Sequence, residues 1–253
     1  FKSVYYTKNT TWYTYFTSEA SKVWSGEMKA VFRKECRHQL LSFKSIFFVL
    51  LFIVLGISLE QLFSAVSIDI GGIDNKTYAG SFYVIIKLAV ILFGYLFSSI
   101  LSHSCINREM ENKSARLVIS KISRTEYIVG KYLANIMFWI ICFVLIYGGL
   151  FLKYRIFDIS ELVTNIVTLM YYNSIILLLS TVVRRGAASN FLGLAVSIAL
   201  PFIGLYTMAK NSFLRFLFPY SYIFNLDWNT LVPVMLSAII VGMAVALFKR
   251  VDL

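Results

Sequence analysis

Six stretches of this chain stay apolar for close to the ~20 residues that an α-helix needs to cross a bilayer. They run over roughly 45–66, 81–102, 128–151, 162–183, 187–208 and 230–248. In hydrocarbon a solitary segment must satisfy its own backbone N–H and C=O groups, and a helix does so. The expected fold is therefore all-α: a polytopic membrane protein with six transmembrane helices. Composition agrees, since 58% of the 253 residues are apolar and only 15% are charged. That balance is too apolar for an ordinary soluble domain.

The net charge of +11 then has a different meaning from the one it would carry in a soluble protein. An even number of spans puts both termini on one side. With the termini inside, the Lys and Arg residues number eight up to Lys44, six over 103–131, two at Arg184 and Arg185, and two at Lys249 and Arg250. Only five fall outside (Lys76, Lys153, Arg155, Lys210 and Arg215), with Lys87 inside a run. Cytoplasmic connectors collect Lys and Arg, so both termini are expected in the cytoplasm of a multi-pass cell-membrane protein. The charge is a topology signal, and nucleic acid is not an expected partner. The bias toward Phe, Ile, Tyr and Asn fits an AT-rich bacterial genome.

Three units follow: a cytoplasmic segment at 1–24, an amphipathic interfacial helix at 25–42, and a six-span domain at 43–253. Residues 1–24 have no apolar core followed by a small-residue cleavage site, so no signal peptide is expected there. They contain "TTWYTYF" at 10–16, which reads either as an aromatic anchor or as a short extended stretch. In 25–42, Met28, Val31, Phe32, Cys36 and Leu40 share a stripe, and Lys29, Arg33, Lys34 and Arg37 lie mostly away from it. Such a helix is expected in the headgroup plane, apolar stripe toward lipid, leading into the first span. A helix packed against a soluble partner would show the same pattern. Cys36, Cys105 and Cys142 have no CxxC spacing, and His38 and His103 read as interfacial and span-end residues, so no metal site is expected.

The connector "EMENKSARLVISKISRTEYIVGKYL" at 109–133 is dense in charge between two apolar runs. Glu109 and Lys113 are spaced to support a helix, and Leu117, Val118 and Ile119 give it an apolar side. "SRTE" at 123–126 fits a capping box, with Ser123 as N-cap and Glu126 reaching back to its amide. The third span should thus begin near Arg124.

At this point the residues resemble a family. Glu111, Lys113-Ser114, Leu117-Val118, Ile122-Ser123-Arg124 and Gly130-Lys131 are similar to the segment between spans two and three of ABC-2 type transporter permeases. This chain lacks the Pro that precedes the Ser-Arg pair there. The "RKE" at 33–35, "FPYSYIFNLDW" at 218–228 and closing "FKRVDL" fall in the corresponding order. The resemblance implies a coupling helix between spans two and three that docks on a separate cytoplasmic ABC ATPase, with Glu109, Glu111, Lys113, Arg116, Leu117 and Arg124 as candidate docking residues. It also implies a second permease chain, identical or related, with span five near the two-fold axis, and an outer gate built from about 209–229. ATP and Mg would bind the partner ATPase and no cofactor would bind this chain. No GxxxxGK[ST], HExxH or GxSxG occurs in the sequence, so the chain is not expected to be an enzyme by itself.

Within the runs, Glu60 and Lys87 both fall roughly 9 Å below the outer boundary at 1.5 Å per residue, and are expected to pair across consecutive spans. Ser189, Gly193 and Ser197 form a small-xxx-small run that reads equally as a subunit contact or as packing inside one chain. Asn135, Asn173 and Asn190 are candidates for interhelical hydrogen bonds. The expected function is export of a hydrophobic or amphipathic cargo, with toxin or antimicrobial-type peptides favoured over lipids, drugs or ions. The alternative is a membrane sensor or assembly factor of the same architecture.

Overall fold

The computed structural model describes residues 26–43, 45–47, 50, 75–102, 104–111, 120, 122–183, 185–210, 213–224 and 226–250. Regular structure among them is entirely helical. In chain order the helices are α1 (Gly26–Leu40), α2 (Asn75–Ser102), α3 (Ser104–Glu111), α4 (Arg124–Tyr154), α5 (Ile159–Val182), α6 (Gly186–Ala209) and α7 (Leu231–Lys249). Three 3-10 turns, Phe213–Leu217, Pro219–Ser221 and Trp228–Thr230, connect α6 to α7.

Among the described residues five helices are long and apolar enough to cross a membrane: Phe82–Ser102, Arg124–Leu152, Ile159–Val182, Gly186–Ala209 and Trp228–Lys249. They coincide with the second to sixth apolar runs to within a turn. The first run, 45–66, lies almost wholly outside the described residues, and Glu60 with it. The chain is thus a membrane protein whose described part is all-helical.

Local chemistry sets the helix ends. Ser123 caps α4 and accepts from the Glu126 amide, while the Glu126 carboxylate accepts from the Ser123 amide 3.2 Å away, which completes the capping box. At the other end Arg155 takes a left-handed conformation (φ 58°) and donates its N–H to Phe151 O. Asp158 caps α5 through the amides of Ser160 and Glu161. α6 runs unbroken through Pro201, which costs it one backbone donor.

α5 is the central helix, packed against α2, α4 and α7. One apolar cluster at mid-bundle is dominated by rings, among them Tyr83, Tyr95, Trp139, Phe143, Tyr147, Tyr172 and Tyr220. A second gathers Ile106, Tyr127, Ile128, Tyr132, Leu177, Val241 and Phe248 where α3, the start of α4 and the ends of α5 and α7 meet. We term this the connector end and the other the opposite end.

α1 was expected to turn Met28, Val31, Phe32, Cys36 and Leu40 to lipid. Of these, Met28 and Val31 are buried, in line with Glu35 and Gln39 on the face that meets α4, while Phe32 and Cys36 are half-buried and Leu40 is exposed. The reason is chemical. That face carries Glu35 and Gln39, which lipid could not satisfy and which α4 does, as described next. Its outward face carries Lys29, Arg33, Lys34, Arg37 and His38.

Candidate functional site

Along one face of α4 fall Tyr127, Gly130, Lys131, Ala134 and Asn135, at spacings of three and four that bring them into line on a helix. α1 answers them in register. A Cβ on Gly130 would lie 3.2 Å from Val31, so the bare glycine lets the two helices close up. Lys131 Nζ lies 2.6 Å from Glu35 Oε1. Gln39 donates to the Asn135 side-chain oxygen, and Cys36 Sγ approaches Ala134 O. The pairs advance in the same direction on both helices, so α1 and the start of α4 run alongside each other.

Lys131 has a second carboxylate. Glu109, at the end of α3, places Oε2 3.2 Å from the same ammonium. The Tyr127 hydroxyl donates to Glu109, and the Lys131 ammonium sits 5.0 Å from the centre of the Tyr127 ring. The lysine side chain is only 2% exposed. One buried cation thus joins three elements: α1 before the first apolar run, α3 after the second, and α4 at the start of the third. Burial pushes the neighbouring Cys36 thiol above its ordinary value, and the Glu35 carboxylate adds to the shift.

Two further connector residues also make contacts within the chain. The Glu111 carboxylate accepts the Gly186 N–H at 2.6 Å and so supplies α6 with the N-terminal partner that Arg185 does not. Arg124 Nη1 donates to Lys249 O at 2.7 Å and Phe248 O at 3.2 Å, closing the C-terminus of α7. Glu109, Glu111 and Arg124, expected as docking residues, also hold contacts within the chain, to a buried lysine and to helix termini. Lys113, Arg116 and Leu117 lie outside the described residues.

At the opposite end Lys87 pairs with Glu161, Nζ to Oε1 at 2.7 Å, and lies 5.4 Å from the Phe224 ring centre. Glu161 stands in the first turn of α5, so the central helix supplies a carboxylate to Lys87; the expected pairing with Glu60 falls on a residue outside the described ones. Beside this pair Tyr83 donates to Ile156 O, and Asn165 Nδ2 donates to the Tyr147 hydroxyl at 2.8 Å.

Ser189, Gly193 and Ser197 are buried within this chain, on a face of α6 that continues through Gly204 and Thr207. Phe191, Leu194, Ile198 and Phe202 occupy the exposed side. Of the asparagines, Asn135 bonds Gln39, Asn173 accepts from Ser102, and Asn190 is exposed. The segment after α6 folds inward: a Cβ on Gly204 would fall 2.0 Å from the Tyr220 ring, which is fully buried.

Sequence reasoning missed Glu35 and the role of Lys131. The available signal was a carboxylate and an amide interrupting the apolar stripe of α1. Among the described residues no three His, Cys, Asp or Glu side chains converge to hold a metal. The arrangement fits a joint that fixes elements to one another, within a membrane protein whose described part is all-helical. No family model and no curated protein matches the chain.

Proposed function

We propose that this chain is the membrane-spanning subunit of an ATP-driven exporter, with hydrolysis on separate cytoplasmic ATPase subunits. The observation that carries the reading is the cluster around Lys131. A cytoplasmic subunit pressing on the connector would move α3, and Glu109 would pass that displacement to Lys131 on α4 and through it to Glu35 on α1. Elements tied by a buried ion joint move together or lose the joint, because separation would strand charge in a poorly hydrated site. The Lys and Arg bias supports a cytoplasmic connector end, where such a subunit would sit.

The character of the interior supports a cargo class. The described spans meet over tyrosines, a tryptophan and aliphatic side chains, with few charges. A path between them suits a hydrophobic or amphipathic molecule, and peptides of that character are the favoured substrate. Lipids, drugs and ions are the alternatives. A second permease chain, identical or related, would complete the path.

The test is transport by the chain reconstituted with its partner ATPase. Because Glu109 is the more exposed of the two carboxylates, Glu109→Gln should fold and retain basal ATP hydrolysis. It should lower transport by about tenfold, the scale of a typical coupling free energy. Unchanged transport in E109Q, with cargo still stimulating hydrolysis, would overturn the coupling role.

A further inference from the structure

The face of α1 that does not touch α4 is cationic. Arg33, Lys34, Arg37 and His38 occupy successive turns there and line a shallow, open groove of about 690 Å³ on α1 and the turn after it, with Leu41 at its end. All five are exposed. Like charges three and four residues apart destabilise a helix, and no carboxylate pairs with Arg33, Lys34 or Arg37 among the described residues. Glu35, placed between them in sequence, is turned the other way, to Lys131. The face is therefore open to an anion.

Its level in the molecule narrows which anion. α1 lies beside Gly130–Asn135 of α4, six to eleven residues into a helix that begins at Arg124, or roughly 9–16 Å along its axis. Directly after the groove the chain turns apolar and outward: Leu41 is 67% and Phe43 84% exposed, and Ile46 and Phe47 follow. Cations at one end and bare apolar side chains at the other match a molecule with a phosphate joined to acyl chains. A soluble anion would leave the apolar end unused.

We propose that this groove binds the headgroup of an anionic phospholipid of the adjoining leaflet. Arg33, Lys34 and Arg37 meet the phosphate, and Leu41 and Phe43 lie against the acyl chains. Clusters of Lys and Arg at the membrane surface recognise anionic lipid in this way, and the arginines add forked hydrogen bonds to phosphate. The site is independent of the exporter reading and would persist in any membrane protein with this α1.

The experiment uses the full chain in nanodiscs of equal phosphatidylglycerol and phosphatidylcholine, with retained lipid counted by mass spectrometry after detergent stripping. Wild type should retain phosphatidylglycerol in excess. Arg33→Gln/Lys34→Gln/Arg37→Gln should return to the bulk ratio, while Arg33→Lys/Arg37→Lys keeps an excess. If the triple variant fails to fold, Arg33→Gln and Arg37→Gln singly should each weaken the preference by up to about fivefold. No excess in wild type, or the same excess in a folded neutral variant, would overturn the proposal. Free glycerol phosphate binding as tightly as a short-chain phosphatidylglycerol would overturn it too, because the acyl chains would then contribute nothing.

Discussion

Lys131 shows what one residue does here. Its ammonium serves Glu35 and Glu109 at once in a site with little water. Removing one member of a buried ion pair typically costs about 3–5 kcal/mol, because the partner is left charged and alone. Lys131→Met should therefore lower the thermal unfolding midpoint in detergent far more than Glu109→Gln does, and adding Glu35→Gln to K131M should recover part of the loss. Equal midpoints for K131M and wild type would mean that the joint is not formed. Gly204→Ala drives a methyl into the buried Tyr220 ring. Overpacking of this kind costs about 1–3 kcal/mol, to be read as a lower midpoint with faster proteolysis of 210–230. Cys36 gives a chemical check on α1: its raised thiol should react slowly with a maleimide at neutral pH and faster as pH rises, since the thiolate is the nucleophile. Little of this residue-level detail was legible in the sequence. Lys131 and Glu35 are 96 positions apart, and no local pattern links them.

At the scale of elements, what local spacing decides was readable and what partners decide was not. The Ser123–Glu126 capping box and the start of α4 at Arg124 follow from four adjacent residues, and both are present. Ser123→Ala should cost about 1 kcal/mol of stability, with the midpoint shift recovered by Ser123→Asp. The five described spans were equally plain, because apolar length needs no partner to be recognised. α1 was not: a stripe of Met28, Val31, Phe32 and Cys36 looks the same whether lipid or another helix covers it. Only Glu35 and Gln39, which need polar partners, separate the two cases. Glu111 makes the same point at the turn into α6, where its carboxylate replaces an absent N-cap. The register of α1 on α4 predicts that cysteines at 31 and 130 crosslink readily in the membrane, whereas cysteines at 33 and 130 do not. The reverse pattern would place the basic face against α4.

For the whole molecule, the order of the helices puts the connector, α1 and the starts of α4 and α6 at one end, with the Lys87–Glu161 pair and the inward-folded Tyr220 at the other. Buried ion pairs and helix caps occur at both ends, Lys131 with Glu35 and Glu109 at the first and Lys87 with Glu161 at the second, where more of the packed rings also lie. In the exporter reading, the connector end is where force enters. The most direct test is to isolate the chain from its native membrane in mild detergent and identify what accompanies it. The account predicts a P-loop ATPase at near-equal stoichiometry, released when residues 112–119 are replaced by a Gly-Ser linker. Recovery of the folded chain with no ATPase would contradict it and leave the connector as a purely structural element.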